Sequence, residues 1–150
     1  QAKSDADEIC SITAPVVDDF PSIAGSIGKE SSILLWLLTK YFSPRVVAEV
    51  GTYIGRSTLS IACGGKDSIE RLFTCDGTFD CLDLRKLALS LKGLSSNLKE
   101  NLTYFGKTMS HVMFQKIIQD SLKVDMLFID GRLAQEDLGM LSSLMAEEIP

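Results

Sequence analysis

The sequence has 150 residues, of which 45% are hydrophobic and 23% are charged, a composition that predicts one soluble globular domain. Its formal net charge of -5 and the lack of a basic patch argue against a nucleic-acid partner. The longest apolar run, residues 33–38, is far shorter than the ~20 residues that a membrane span needs, so we expect no membrane partner either.

The cysteine and histidine content argues against a zinc site. The four cysteines, at positions 10, 63, 75 and 81, form no C-x-x-C pair, and the only histidine is His111. We expect the cysteines to be reduced, and the polar, acidic N-terminus carries no secretory signal, so the sequence predicts a cytoplasmic protein. A catalytic role for His111 is an alternative to a solvated or capping role.

Residues 1–28 are predicted to be an N-terminal lead-in and a loop. A helix follows and is the first element of the predicted domain, which spans residues 29–150. The helix is expected to begin at Lys29 and to end before Ser43 and Pro44, because proline stops helices. Residues 33–42 are apolar almost all round the helix, which predicts that the helix is buried on every side.

Residues 46–59, VVAEVGTYIGRSTL, predict a strand, a tight turn and a helix. The apolar residues Val46, Val47, Ala48 and Val50 are typical of a strand that is buried on both faces of a parallel sheet. Gly51 and Gly55 bracket the turn, and a glycine after a strand lets a ligand approach the main chain closely. The helix, predicted over residues 57–63, would direct unpaired N–H groups at polar or anionic ligand atoms.

The rest of the chain alternates strands and helices in the same way. Strands are predicted at 72–75, 101–105 and 126–129, and helices at 83–94, 110–122 and 132–148. Asp76 follows the second strand, 25 residues after Gly51, close to the ~20-residue interval at which an acid binds ribose hydroxyls in dinucleotide folds. A turn aspartate in the Asp76-Gly77 corner is the alternative interpretation. Asp130 ends the fourth strand.

These motifs resemble the class I S-adenosylmethionine-dependent methyltransferases, in the branch that includes sugar, antibiotic and catechol-type O-methyltransferases. The resemblance covers roughly residues 30–150, with specific motifs at 49–58, 74–77 and 127–131. It implies an α/β, Rossmann-like, doubly wound parallel sheet of strand order 3-2-1-4, preceded by an N-terminal helix. The C-terminal strands of that fold are absent from this sequence.

The resemblance also implies a set of site residues. The cofactor-binding positions are Glu49, Gly51, Thr52, Tyr53, Gly55, Ser57, Asp76, Gly77, Lys107 and Thr108. Met109 is a further candidate beside the adenine, and Gly25, Ser26 and Gly28 are candidates for the border of the ligand.

Asp130 is the catalytic candidate and the candidate ligand of Mg²⁺ or another divalent cation, which would lower the pKa of an acceptor hydroxyl. Relatives often carry a histidine two residues after the glycine that corresponds to Gly131. This sequence has Leu133 there, and Arg132 follows the glycine directly.

The function that the resemblance implies is O-methylation of a small hydroxylated molecule with S-adenosylmethionine as the methyl donor. An NAD-dependent oxidoreductase shares the strand–glycine–helix turn and the strand-end acid, but the sequence lacks its G-x-G-x-x-G spacing. A non-catalytic interaction module is a third interpretation. Because a sheet that ends at the fourth strand has an unpaired edge, we expect a further C-terminal segment or a second copy of the chain to cover it.

Overall fold

A computed structural model describes residues 26–78, 80 and 100–146 of the chain. Within these residues the helices and strands are α1 (Lys29–Phe42), β1 (Val46–Val50), α2 (Arg56–Gly64), β2 (Arg71–Asp76), β3 (Leu102–Gly106), α3 (Ser110–Gln119), β4 (Met126–Ile129) and α4 (Gln135–Leu144). Each of them was predicted from the sequence. The lead-in up to residue 25 and the helix predicted at 83–94 lie outside the described residues.

The four strands form one parallel sheet in the order β3-β2-β1-β4, which confirms the predicted topology. The register aligns Val50 with Cys75 of β2 and with Ile129 of β4, so the carboxyl ends of three strands lie at one edge. In the described part of the chain, β4 has a strand neighbour on one side only. The expectation that another segment or another copy covers its free edge stays a prediction.

Helices cover both faces of the sheet and form two apolar clusters. On one face, Leu35 and Trp36 of α1 pack with Leu59 of α2. On the other face, Met113 and Phe114 of α3 pack against β1 and β2. Since both faces are covered, the strands need apolar residues on both sides, which explains the continuous apolar runs of the sequence.

Two helices are shorter than predicted, for local reasons. Helix α3 ends at Gln119 rather than at 122, and Ser121 takes a left-handed conformation with φ 56°. Helix α4 begins at Gln135 rather than at 132, because the Asp137 carboxylate accepts a hydrogen bond from Ala134 N at 2.6 Å and caps the helix there. It ends at Leu144, since Met145 is extended and bridges to Val124.

The prediction that α1 is buried on every side was wrong. Leu35 and Trp36 are buried, but so are the polar residues Ser32 and Thr39, and the Thr39 hydroxyl is satisfied by donating to Leu35 O at 2.8 Å. Large apolar side chains lie on the exposed side instead: Leu34, Leu37, Leu38, Tyr41 and Phe42. Among the described residues the helix packs on one side only, and its composition alone could not indicate which side that is.

None of the helices in the described ranges combines the length and the apolar character that a membrane crossing requires.

Candidate functional site

A cavity of about 650 Å³ opens at the carboxyl ends of β1, β2 and β4. Its volume falls within the roughly 300–1,000 Å³ of small-molecule sites. The lining residues are Val50, Gly51, Tyr53, Cys75, Asp76, Gly77, Thr78, Met109, Ser110, Asp130, Gly131 and Arg132. The cavity therefore brings together the turn after β1 and the predicted acids that follow β2 and β4.

Gly51 allows the loops after β1 and β4 to approach each other. Its φ of 103° is rare for residues with a side chain, and an added Cβ would lie 2.9 Å from both Asp130 C and Gly131 N. Gly51 N also donates to Cys75 O at 2.8 Å, which fixes the turn against β2. Gly55, with φ 85°, then starts α2. The two glycines thus do what the sequence predicted, which is to make a tight turn between strand and helix.

Asp76 joins the ends of β1 and β2. Its side chain is largely buried, with 8% exposure, and its Oδ2 accepts a hydrogen bond from Tyr53 N at 2.9 Å. Its Oδ1 accepts from Thr78 N at 2.9 Å, which is the turn contact expected from the alternative interpretation. The turn contact is therefore confirmed, and Asp76 also lines the cavity, while its contact with ribose hydroxyls stays a prediction. Each carboxylate oxygen can accept more than one hydrogen bond.

Glu49 lies behind the turn and does not line the cavity. It is completely buried, and its Oε2 accepts hydrogen bonds from the Thr58 hydroxyl at 2.5 Å and the Thr74 hydroxyl at 2.6 Å. The hydroxyls of Thr52 and Thr74 are 2.5 Å apart. Burial raises the pKa of Glu49, and the hydroxyls of Ser57, Thr58 and Thr74 oppose that rise. The carboxyl group thereby connects β1, β2, the turn and the first residues of α2.

A smaller cavity of about 10 Å³ lies beneath the same turn, lined by Ser26, Arg56, Ser57 and Asp130 among others. The Arg56 guanidinium donates to Ile27 O at 2.9 Å and ties the segment before α1 to the start of α2. Ser26 Oγ and Arg56 Nε are buried and have no hydrogen-bond partner among the described residues. Ser26 and Ser57 therefore lie close to the turn, and their contacts with a ligand stay predictions.

The loop after β3 differs in detail from the prediction. Lys107 is exposed with φ 50°, and neither Lys107 nor Thr108 lines the cavity. Met109 does, as does Ser110, which the sequence analysis did not single out. Thr108 N donates to Asp76 O at 2.9 Å, so this loop is held against the end of β2.

Ser110 is positioned by a buried acid of α4. Its hydroxyl donates to Asp137 Oδ2 at 2.6 Å, and Asp137 is completely buried. This bond fixes the first residue of α3 to the first turn of α4. Ser110 and Asp137 are 27 positions apart, so nothing in the sequence pattern pairs them.

The acid and thiol groups of the site differ in their chemistry. Asp130 is exposed and lines the large cavity, and its backbone N donates to Val50 O at 2.8 Å. Burial raises the pKa of Cys75 to about 12, which keeps this thiol protonated and unsuited to nucleophilic attack.

Gly28 caps α1, Gly25 lies outside the described residues, and His111 does not line the cavity.

Asp130 does not belong to a preformed metal site in the described part of the chain. No group of three or more His, Cys, Asp or Glu side chains among those residues is arranged to hold a metal ion. Mg²⁺ usually keeps several water ligands and is bound through only one or two carboxylates, so Asp130 supplies one candidate ligand. The described residues group no further set of such ligands around it, and the Mg²⁺ site stays a prediction.

The similarities to known proteins are structural. No protein-family model matches the sequence, and no curated protein matches it significantly. The O-methyltransferase from Bacillus cereus in complex with SAH (S-adenosylhomocysteine) superposes with a TM-score of 0.64 at 17% identity, over 97% of this chain and 63% of that chain.

Two further structures give the same result. The O-methyltransferase TomG from Streptomyces achromogenes, involved in tomaymycin synthesis and in complex with SAM (S-adenosylmethionine), has a TM-score of 0.64 at 19% identity, over 92% of this chain and 60% of its own. The SAH-bound methyltransferase PaMTH1 from Podospora anserina has a TM-score of 0.61 at 15% identity, over 93% and 58%. The chain thus has the Rossmann-like fold of these methyltransferases and spans about three fifths of their length.

Proposed function

We propose that the chain binds S-adenosylmethionine in the large cavity and serves methyl transfer to the oxygen of a small hydroxylated molecule. The observation that carries the proposal is that the Gly51 turn, Asp76 and Asp130 line one cavity. In open parallel sheets, ligands bind outside the carboxyl ends of the strands, where this cavity lies. The three solved methyltransferases that share this fold are complexes with SAM or SAH.

Each part of the cofactor is assigned to a different group of residues in the cavity. The amino-acid end would lie at the Gly51 turn and the start of α2, near Ser57, where helix N–H groups favour a carboxylate. Asp76 would accept hydrogen bonds from the ribose hydroxyls. The adenine would lie toward Met109 and Ser110. In this arrangement Glu49 positions the turn from behind rather than contacting the ligand.

Asp130 is proposed as the group that receives the proton of the acceptor hydroxyl. S-adenosylmethionine supplies an electrophilic methyl group, and a hydroxyl oxygen attacks it best when its proton is removed during the reaction. Asp130 is exposed at the cavity mouth, where an acceptor can reach it. Because the described residues do not form a metal site, no step is assigned to Mg²⁺. A cytoplasmic location is part of the same proposal.

The role of Asp76 is tested by the affinity of the chain for S-adenosylhomocysteine. Asp76→Ala removes charge-assisted hydrogen bonds worth about 1.5–3 kcal/mol each, so binding should weaken at least tenfold. Asp67→Ala is the matched control, since Asp67 is exposed and does not line the cavity. Equal affinity in the two variants, with both folded by circular dichroism, would remove Asp76 from the site.

The catalytic proposal is tested by following radioactive methyl transfer from S-adenosylmethionine to a panel of catechols, phenols and sugars. Asp130→Asn should keep the affinity for S-adenosylhomocysteine while the transfer rate falls, since the amide cannot take up a proton. A variant that transfers methyl groups at the wild-type rate would show that Asp130 is not the base.

A further inference from the structure

Arg132 is the one basic residue among the described residues that line the large cavity, whose acidic lining residues are Asp76 and Asp130. It is exposed, and it makes no hydrogen bond or ion pair with another residue in the described part of the chain. Arg45, by contrast, is paired with Glu70 at 2.8 Å. A guanidinium that lines a cavity and has no protein partner is available to an anionic group of a ligand.

The segment that carries Arg132 is held in place on both sides of it. Before it, Gly131 packs closely against the turn after β1, since an added Cβ would lie 3.3 Å from Gly51 Cα. After it, Ala134 N donates to Asp137 Oδ2 at 2.6 Å, at the start of α4. The backbone therefore fixes the point at which Arg132 meets the cavity, and less ordering is needed when a ligand binds there.

Leu133, the next residue, serves packing rather than ligand binding. It is partly buried and packs against the apolar cluster between the sheet, α3 and α4. It does not line the large cavity, whereas Arg132 and Asp130 do. The charged groups that the loop after β4 contributes to the cavity are therefore one carboxylate and one guanidinium.

We propose that Arg132 selects acceptors that carry a carboxylate close to the hydroxyl that is methylated. This inference rests on the proposed function, in which the acceptor hydroxyl lies at Asp130. The two residues are two positions apart, so their Cα atoms are at most about 7 Å apart and one small molecule can contact both. The acceptor class is thus a hydroxycarboxylic acid, whose carboxylate accepts two parallel hydrogen bonds from the guanidinium.

The charges of the cavity favour a carboxylate over a phosphate. A carboxylate brings one negative charge, which the single guanidinium balances. A phosphate monoester carries roughly -1.5 to -2 at neutral pH, and its second charge would lie beside Asp76 and Asp130 without a cationic partner among the lining residues. The net charge of -5 on the chain adds to this repulsion.

The product from such an acceptor is a methyl ether. The hydroxyl oxygen forms a bond to the methyl carbon of S-adenosylmethionine, the bond from that carbon to sulfur breaks with its electron pair staying on sulfur, and the hydroxyl proton passes to Asp130. S-adenosylhomocysteine is the second product. The carboxylate is bound by Arg132 away from the methyl group and is not itself methylated.

The test compares acids with their neutral amides: 3-hydroxybenzoate with 3-hydroxybenzamide, and 3-hydroxybutyrate with 3-hydroxybutyramide. Their affinities are measured by calorimetry on the chain saturated with S-adenosylhomocysteine. The wild type should bind the acid about tenfold more tightly than the amide in at least one pair. The ratio should fall to about one in Arg132→Met and be partly kept in Arg132→Lys. Arg71→Met is the matched control and should keep the full ratio, since Arg71 is exposed, has no partner among the described residues and does not line the large cavity.

The affinity for S-adenosylhomocysteine separates this inference from the proposed function. Arg132→Met should bind that compound as the wild type does, because no part of the cofactor is assigned to Arg132. A wild type that binds it but prefers neither acid would overturn the inference alone, whereas a wild type that does not bind it would overturn both.

Three further results would overturn the selection of hydroxycarboxylic acids by Arg132. A tenfold loss of affinity for S-adenosylhomocysteine in Arg132→Met would assign the guanidinium to the carboxylate of the cofactor. Tighter binding of 3-hydroxyphenyl phosphate than of 3-hydroxybenzoate would assign it to phosphates. A methylated product that alkali hydrolyses would be an ester, which would show that the carboxylate is the group methylated.

Discussion

Replacing Gly51 by alanine should destabilise the protein and disrupt the cavity. The residue has φ 103°, and a Cβ would lie 2.9 Å from both Asp130 C and Gly131 N, which are backbone atoms and cannot move aside cheaply. The strained backbone costs about 1–3 kcal/mol, and the overpacking costs about 1–3 kcal/mol more. The sum, roughly 2–6 kcal/mol, is a large part of the ~5–15 kcal/mol by which a domain is stable.

The matched control is the same substitution at Gly139. This glycine lies within α4, and a Cβ there would meet no atom within 4 Å. Alanine has the higher helix propensity, so Gly139→Ala should stabilise the protein by about 0.5–1 kcal/mol. Urea unfolding, followed by circular dichroism, gives both free energies of unfolding. If Gly51→Ala lies within about 0.5 kcal/mol of the wild type, the close contact between the two loops is refuted.

Two further predictions concern buried carboxyl groups. Burial raises the pKa of Glu49 above its usual 4.5, so the stability that this residue contributes is present at low pH and is lost as the pH rises from about 4.5 through its folded value. The side chain of the Glu49→Gln variant does not titrate. The free energy of unfolding of this variant, relative to that of the wild type, should therefore increase by about 1.4 kcal/mol per pH unit in that window. A difference that is constant across pH in urea unfolding would contradict this. Asp137→Ala removes the cap of α4 and leaves the buried Ser110 hydroxyl without its acceptor. In the same assay the free energy of unfolding should fall by about 2–4 kcal/mol. A fall of less than about 0.5 kcal/mol would show that the Ser110–Asp137 pair does not stabilise the protein.

The strands and their order were predictable because local signals and the resemblance agreed. Val47 on one face of β1, and Val46, Ala48 and Val50 on the other, are apolar, and in the structure α2 and α3 cover those faces. Boundaries that depend on one tertiary contact were not predictable. The start of α4 depends on the Asp137 cap, and no sequence rule separates Asp137 from the exposed acid beside it, Glu136.

The burial of α1 shows where composition is insufficient. Apolar residues occupy nearly all sides of this helix, so no periodicity indicates which side packs. The structure buries Ser32 and Thr39, whose small side chains allow α1 to lie close to α2: a Cβ on Gly64 would meet Trp36 O at 2.5 Å and Thr39 Cβ at 2.9 Å. The buried side of α1 is thus the one on which it approaches α2 closely, and it carries Leu35 and Trp36 as well as these two polar residues.

The residues of the candidate site that lie at strand ends were predictable from the sequence. Asp76 ends β2, Gly51 and Asp130 directly follow β1 and β4, and parallel strands bring their carboxyl ends together. Ser110 and Thr78 were missed, because they reach the cavity through loop conformations that no spacing encodes. Glu49 was placed among the ligand contacts by the resemblance, whereas the structure buries it behind the turn.

The central claim, that the cavity binds S-adenosylmethionine, is tested most directly by isothermal titration of the wild-type chain with S-adenosylhomocysteine and, separately, with NAD. We predict saturable one-to-one binding of S-adenosylhomocysteine and no heat of binding from NAD. Binding of NAD alone would contradict the account in favour of an oxidoreductase. Binding of neither compound by a chain that is folded by circular dichroism would contradict the assignment of the cavity to either cofactor.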